Sequence, residues 1–274
     1  MTSAPETASR SAQTASVVVS VDGGVTTVRL ARPEAMNALD VPTKVALRDA
    51  LTTAAGDDTV RCVVLTGTGR AFCVGQDLRE HVRLLAEGSD VLGTTVAEHY
   101  NPIATTLATM PKPVVAAVNG VAAGAGAAFT FAADLRILAE SAGFNLAFTG
   151  IALSADSGSS WWLPRLVGAA RAKELLLLPR TVGAREALDL GLATEVVPDA
   201  DLADRVREVA QQLAAGPTVA YGSVRQAVAY SLAHPLEESL AYEGELMALT
   251  GATADHRAAV DAFLAKQRPV FEGR

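Results

Sequence analysis

Three short apolar runs, Val60-Arg-Cys-Val-Val-Leu-Thr66, Val114-Val-Ala-Ala-Val118 and Leu135-Arg-Ile-Leu-Ala139, constrain this chain more than anything else in it. Each reads as a buried strand, and the first two end in small residues that open toward a helix. The repeated order of strand, turn and helix predicts a layered or spiral α/β architecture and excludes a helix bundle. No repeat of fixed period accompanies it. Half of the residues are apolar but only 5% are aromatic, so packing must come from small side chains and close approach of elements.

The flanking segments are consistent with that reading. Val17-Val-Val-Ser-Val21 and Val25-Thr-Thr-Val-Arg-Leu30 surround Asp22-Gly-Gly24, a hairpin signal. Residues 39–53 have helical apolar spacing, with Asp40 as N-cap and Pro42 in the first turn. Residues 78–90 are polar and irregular, and a helix over 95–110 must stop before Pro111-Lys-Pro113. A small-residue helix is expected over 124–133, followed by helices over 166–178, 184–190, 201–215, 218–233, 235–250 and 254–265. The expected organisation is a disordered tail over 1–15, a core over 16–200 and a helical region over 201–274.

The net charge of −7 and the lack of basic runs exclude a nucleic-acid surface. The first residues carry no apolar run and Phe271-Glu-Gly-Arg274 is no targeting tripeptide, so a cytoplasmic protein without membrane attachment is expected. Cys62 and Cys73 sit in or beside apolar strands and read as reduced core residues. His81, His99, His234 and His256 are too scattered for a metal site; His81 and His99 read as surface residues before pocket-lining ones.

The chemistry is concentrated in two turns, Gly67-Thr-Gly-Arg-Ala-Phe-Cys-Val-Gly-Gln-Asp-Leu78 and Asn119-Gly-Val-Ala-Ala-Gly-Ala-Gly-Ala127. A strand that ends in small residues and enters a helix leaves main-chain N–H groups free. Two such ends can aim two donors at one oxygen, as stabilisation of a developing thioester oxyanion requires. Taken singly, each turn also reads as ordinary tight packing, with Asp77 as a helix cap. Asp156 could likewise be an N-cap for a helix through Trp161 and Trp162, and Lys266 an ordinary solvated lysine.

Taken together, Arg32-Pro-Glu-Ala-Met-Asn-Ala-Leu39, Arg70-Ala-Phe-Cys-Val-Gly-Gln-Asp-Leu78, Lys112-Pro-Val-Val-Ala-Ala-Val-Asn-Gly120 and Phe263-Leu-Ala-Lys266 resemble the crotonase, or enoyl-CoA hydratase/isomerase, superfamily over residues 17–274. The resemblance implies an α/β spiral of ββα units with a C-terminal helical trimerisation region, assembled as a homotrimer or dimer of trimers. It implies an acyl-CoA thioester substrate, with coenzyme A as part of that substrate and no separate cofactor.

By the same resemblance, the main-chain N–H groups of Gln76 and Ala125 form the oxyanion hole. Arg32, the turn around Ala71 and Cys73, and Phe263 with Lys266 lie near the CoA moiety, the last two often across a subunit boundary. The family usually has glycine where Ala125 stands, and alanine can supply the same main-chain donor. Ala128 and Phe148 stand where hydratases of the family carry two glutamates, and neither can polarise water. Asp156 stands where isomerase-type members and related dehalogenases have their working acid, with Phe148 and Trp161 lining the acyl pocket.

Phe72-Cys-Val-Gly-Gln-Asp-Leu78, Tyr100-Asn-Pro102 and Trp161-Trp-Leu-Pro-Arg-Leu-Val-Gly168 resemble the members that isomerise epoxyphenylacetyl-CoA, some of which also shift the double bond of 3-enoyl-CoA. Ala155 and Ser159 depart from that subgroup, in which proline precedes the acid and a second glycine follows it. An acyl-CoA isomerase is therefore the expected function. A hydratase or lyase of the same superfamily and a non-catalytic acyl-CoA-binding subunit are the alternatives.

Overall fold

The computed structural model describes residues 15–88 and 91–274, so nearly all of the expected tail lies outside the described residues. The chain opens with a hairpin of β1 (Val17–Asp22) and β2 (Val25–Leu30), paired antiparallel with Asp22 opposite Val25. Helix α1 (Val41–Gly56) follows, its N-terminus capped by Asp40, whose carboxylate accepts from the Thr43 N–H at 2.9 Å. Pro42 falls in its first turn, where a missing N–H costs nothing.

From there one unit recurs. It consists of a strand in a large sheet, a three-residue strand in a small sheet, and a helical segment. The first unit is β3 (Cys62–Gly67), β4 (Ala71–Cys73) and the helices α2 (Leu78–Ala86) and α3 (Val91–Thr95). A π-helical turn, Val96–Tyr100, joins α3 to α4 (Asn101–Thr109). The second unit is β5 (Val114–Val118), β6 (Val121–Ala123) and α5 (Ala125–Phe131), and the third is β7 (Leu135–Ala139), β8 (Gly143–Asn145) and α6 (Ser159–Leu177). The chain then runs through β9 (Thr181–Gly183), α7 (Ala184–Asp189), β10 (Glu195–Val197), α8 (Leu202–Ala214), α9 (Thr218–Ser231), α10 (Leu236–Gly251) and α11 (Ala254–Leu264).

The large sheet has the order β1-β2-β3-β5-β7-β10, parallel beyond the first hairpin, and the small sheet has the order β4-β6-β8-β9. This is the expected α/β spiral. Because β3 and β5 are covered on both faces, every residue in them is buried, which explains their unbroken apolar sequences. Leu47 and Leu51 of α1 and Ile103 and Leu107 of α4 are fully buried in the same core. Each such side chain contributes about 1.5–3 kcal/mol through burial.

Cys62 and Cys73 are free and buried, and loss of water pushes both thiols up to about 12. The segment expected to be irregular is the helix α2, whose start is set by Asp77 accepting from the N–H groups of Arg79 and Glu80. Its apolar residues do recur at helical spacing, but Leu78, Val82 and Leu85 are exposed and interleaved with charge. Helix α6 begins at Ser159, so the helix expected over 166–178 and the one left open through Trp161 and Trp162 form one element, broken at Gly168 (φ 76°, ψ 158°). Within the expected helical region, α8 packs on β3, β5 and β7 and so completes the layered core, while α9 and α10 pair with each other. No described helix is long and apolar enough to cross a membrane.

Candidate active site

The first turn is held from below by two asparagines. Asn37 is wholly buried, and its side-chain amide donates to the carbonyls of Thr68, Ala71 and Phe72 at 3.0, 2.8 and 3.1 Å. Asn119 accepts from the Gly67 N–H at 3.1 Å. Beyond β4, Leu39 pairs along both sides of Gln76, donating to the Gly75 carbonyl at 2.8 Å and accepting from the Asp77 N–H at 3.2 Å. In a trans peptide the C=O and the following N–H point opposite ways. With the Gly75 carbonyl tied to Leu39, the Gln76 N–H is turned away from Leu39.

Gly75 itself has φ +81°, and a Cβ there would lie 3.0 Å from the Ala123 carbonyl oxygen and 3.4 Å from the Ala125 nitrogen. The first turn is therefore in contact with the second. In the second turn Gly124 has φ 52° and ψ −126°, a combination open essentially to glycine alone. The Gly124 N–H donates to the Asn145 carbonyl at 3.0 Å, and its own carbonyl accepts from Ala128 at 3.1 Å. By the same peptide geometry, the Ala125 N–H points out of the start of α5. Among the described residues, neither the Gln76 N–H nor the Ala125 N–H has a hydrogen-bond acceptor.

Both residues line one cavity of about 820 Å³, together with Tyr100, Phe148, Asp156 and, at the mouth, Arg32. Asp156 is half-buried on its wall. Removal from water raises its carboxyl above the ordinary carboxylate range, against the opposing pull of the Ser157 hydroxyl, which donates to Oδ1 at 2.8 Å. The Asp156 side chain does not cap α6; Gly158 holds that position, and Asp156 supplies only its carbonyl, to the Ser159 N–H at 2.9 Å. Ser157 is buried with φ +53°, a conformation that costs on the order of 1–3 kcal/mol in a residue other than glycine. Such strain concentrates in functional loops.

The other carboxylates around the cavity are occupied or exposed. Asp77 pairs with Arg32 at 3.1 Å; burial works to raise its pKa, but main-chain N–H groups and Arg32 together outweigh it and hold the carboxyl low. Asp40 also pairs with Arg32, at 3.1 Å. Glu80 accepts from the Val41 N–H at 3.0 Å and lies 3.8 Å from Lys44 Nζ, while Glu34 is exposed at the rim. Lys44 has no solvent exposure, and burial lowers its pKa in spite of Glu80, Asp40 and Asp77. Asp156 is thus the one carboxylate of this wall that is withdrawn from water and has no cationic partner among the described residues.

Gln76, Ala125, Asp156, Phe148 and Arg32 are therefore brought together around one cavity. The expectation for Trp161 needs correction. Trp161 is 41% exposed, has the Arg165 guanidinium 3.4 Å from its ring centroid, and does not line this cavity. Within α6, Trp161 faces outward, while Trp162 borders a separate cavity of about 550 Å³. The side chains of Ala71 and Cys73 are sealed inside β4 and do not reach the cavity. Phe263, 80% exposed, and Lys266 lie at the end of α11, outside the cavity of this chain, in keeping with an expectation that set them across a subunit boundary.

His81 lines the cavity, the alternative to a surface position, and His99 is buried rather than on the surface; each has a buried Nδ1 without a partner among the described residues. Tyr100 was not foreseen as a site residue. It is 2% exposed and its hydroxyl donates to Gln76 Oε1 at 2.5 Å; the sequence marked it only as part of the motif Tyr100-Asn-Pro102, with no role attached.

A strand-to-helix turn that leaves an amide free, repeated on the next ββα unit beside a lone carboxylate, is an arrangement able to polarise a carbonyl and transfer a proton next to it. The family model described as enoyl-CoA hydratase/isomerase matches residues 20–274. The chain is 41% identical over 254 residues to a 1,2-epoxyphenylacetyl-CoA isomerase of Escherichia coli K12, covering 93% of this chain and 97% of the relative. It is 32% identical over 258 residues to an (E)-benzylidenesuccinyl-CoA hydratase of Thauera aromatica, covering 94% and 99%. A solved enoyl-CoA hydratase/isomerase from Cupriavidus metallidurans CH34 superposes with a TM-score of 0.87 at 31% identity, over 94% of this chain and 96% of that one. The chain belongs to the enoyl-CoA hydratase/isomerase, or crotonase, family of enzymes.

Proposed function

We propose that this enzyme is an acyl-CoA isomerase in which the main-chain N–H groups of Gln76 and Ala125 hold the thioester oxygen and Asp156 moves the proton. In the 3-enoyl case the Asp156 carboxylate takes a proton from C2, and the electron pair delocalises onto the thioester oxygen between the two amides. The protonated acid then returns that proton to C4, so that the double bond ends between C2 and C3. Each main-chain donor is worth about 2.7–4 kcal/mol at the transition state.

The observation that carries this reading is Asp156, a half-buried carboxylate without a cation, on the wall that also holds the two free amides. Its raised pKa suits a group that must both accept and return a proton. Phe148 makes its part of the wall apolar and Ala128 is sealed in α5, which disfavours the two-carboxylate handling of water in hydration. Epoxyphenylacetyl-CoA, suggested by the E. coli relative, and 3-enoyl-CoA are the proposed substrates.

Coenzyme A is held as part of the substrate, with Arg32 at the cavity mouth and Phe263 and Lys266 supplied by a neighbouring copy in a homotrimer or dimer of trimers. The 80% and 75% exposure of Phe263 and Leu264 supports such a contact. The reduced cysteines suit a cytoplasmic enzyme. The test is a product assay on epoxyphenylacetyl-CoA, 3-enoyl-CoA and 2-enoyl-CoA with wild type and Asp156→Asn. Isomer formation lost in the variant is expected; hydration of 2-enoyl-CoA at a rate matching isomerisation would overturn the assignment.

A further inference from the structure

We infer that Tyr100 is a positioning residue that aligns the two main-chain donors with each other. The inference rests on the reading of Gln76 and Ala125 as the pair that holds the thioester oxygen, and it names what keeps that pair in register.

Tyr100 closes the π-helical turn Val96–Tyr100, an uncommon backbone geometry that is frequent at functional sites. Its hydroxyl donates to Gln76 Oε1 at 2.5 Å. Gln76 Nε2 is buried without a partner, so this is the only hydrogen bond of the Gln76 side chain among the described residues. The ring of Tyr100 meets Phe129 of α5 edge-on, with centroids 5.9 Å apart at 73°. Helix α5 is the element whose first residue, Ala125, carries the second donor.

One buried side chain therefore touches both donor-bearing segments. Leu39 holds the peptide before Gln76 from the main-chain side, and Tyr100 holds the residue from its side-chain end. Burial foremost, with the nearby negative charge of Asp156, keeps the hydroxyl protonated, so it remains a donor across any useful assay range. Removing that hydroxyl leaves the Gln76 carboxamide with no partner at either end. Such a group moves in search of one, and takes its own N–H with it.

The test uses the full chain with Tyr100→Phe, Gln76→Met and the double variant. Each is read by steady-state kinetics on 3-enoyl-CoA and by the absorption shift of bound 4-dimethylaminocinnamoyl-CoA, a chromophoric thioester whose band moves to the red when its carbonyl is polarised. Tyr100→Phe keeps the ring and its packing, and Gln76→Met removes the same contact from the other end while keeping the main-chain donor. We expect a red shift in wild type and a smaller one in Tyr100→Phe. With it, kcat should fall about tenfold, within the roughly 10²-fold cost of a 1 Å misplacement, and KM should change by no more than about twofold, because the donors bind the developing charge more strongly than the ground-state carbonyl.

The double variant should be no worse than the poorer single variant, because both remove one interaction. Additive losses, or a Tyr100→Phe shift and kcat equal to wild type, would overturn the role of Tyr100. An absent shift in wild type would instead overturn the donor pair itself.

Discussion

Replacing Gly75 by alanine tests whether contact between the two turns matters to the chemistry. At φ +81° an alanine carries the left-handed penalty of roughly 1–2 kcal/mol. Its Cβ would also sit 3.0 Å from the Ala123 carbonyl oxygen, which must yield by a few tenths of an ångström, and 3.4 Å from the Ala125 nitrogen. The second turn, which carries one of the two donors, is thus pushed from the first. At about 2–4 °C per kcal/mol, Tm should fall by roughly 2–8 °C in thermal denaturation.

The cost to catalysis is bounded above by loss of a whole donor, about 10²–10³ in kcat. Partial misalignment should bring a loss of about 10- to 100-fold, with a smaller change in KM. Gly23→Ala is the control. Gly23 has φ +55° in the β1–β2 hairpin with open space around it, so this variant carries the backbone penalty alone and should keep wild-type kcat. If Gly75→Ala loses stability as Gly23→Ala does but keeps wild-type kcat, the two amides are not aimed at a common developing charge.

Asp156→Asn should lower kcat by about 10²–10⁴, the usual worth of a positioned acid or base, with CoA-ester binding retained in calorimetry. The same variant should melt higher at pH 7. A carboxyl whose folded pKa is raised has its stabilising proton present below the unfolded value and loses it as pH rises through the folded one, so wild type carries a neutral-pH penalty that asparagine lacks. Ser157→Ala removes the hydrogen bond that lowers the Asp156 pKa, so the acid limb of the kcat/KM profile should move to higher pH. Phe263→Asp should lower the mass measured by light scattering and weaken CoA-ester binding together, because the same exposed residue is assigned to both the subunit contact and the ligand.

The large-sheet strands could be read from sequence because burial on both faces leaves no polar position in β5 and few in β3 and β7. Strands β4, β6 and β8 could not, since three residues are too few to establish a period. Their existence depends on pairing between segments about 22 to 50 residues apart, which is tertiary information. The two turns were legible as a pair because glycine is required where main chains touch, as at Gly75. Trp161 was misjudged because two adjacent tryptophans on one helix point about 100° apart, and local sequence does not say which of them faces inward. Tyr100 was legible as part of the motif Tyr100-Asn-Pro102 but not as a partner of Gln76, a contact that exists only once the π-helical turn has set its direction.

The central claim is that Asp156 moves a proton at C2 while two main-chain amides hold the thioester oxygen. It is tested most directly by incubating a 3-enoyl-CoA in deuterium oxide with wild type and Asp156→Asn, and following both label and double-bond position by mass spectrometry and NMR. Wild type should form the 2-enoyl ester and exchange label at C2 or C4. Asp156→Asn should bind the ester yet do neither. Undiminished exchange or isomerisation in Asp156→Asn would contradict the account.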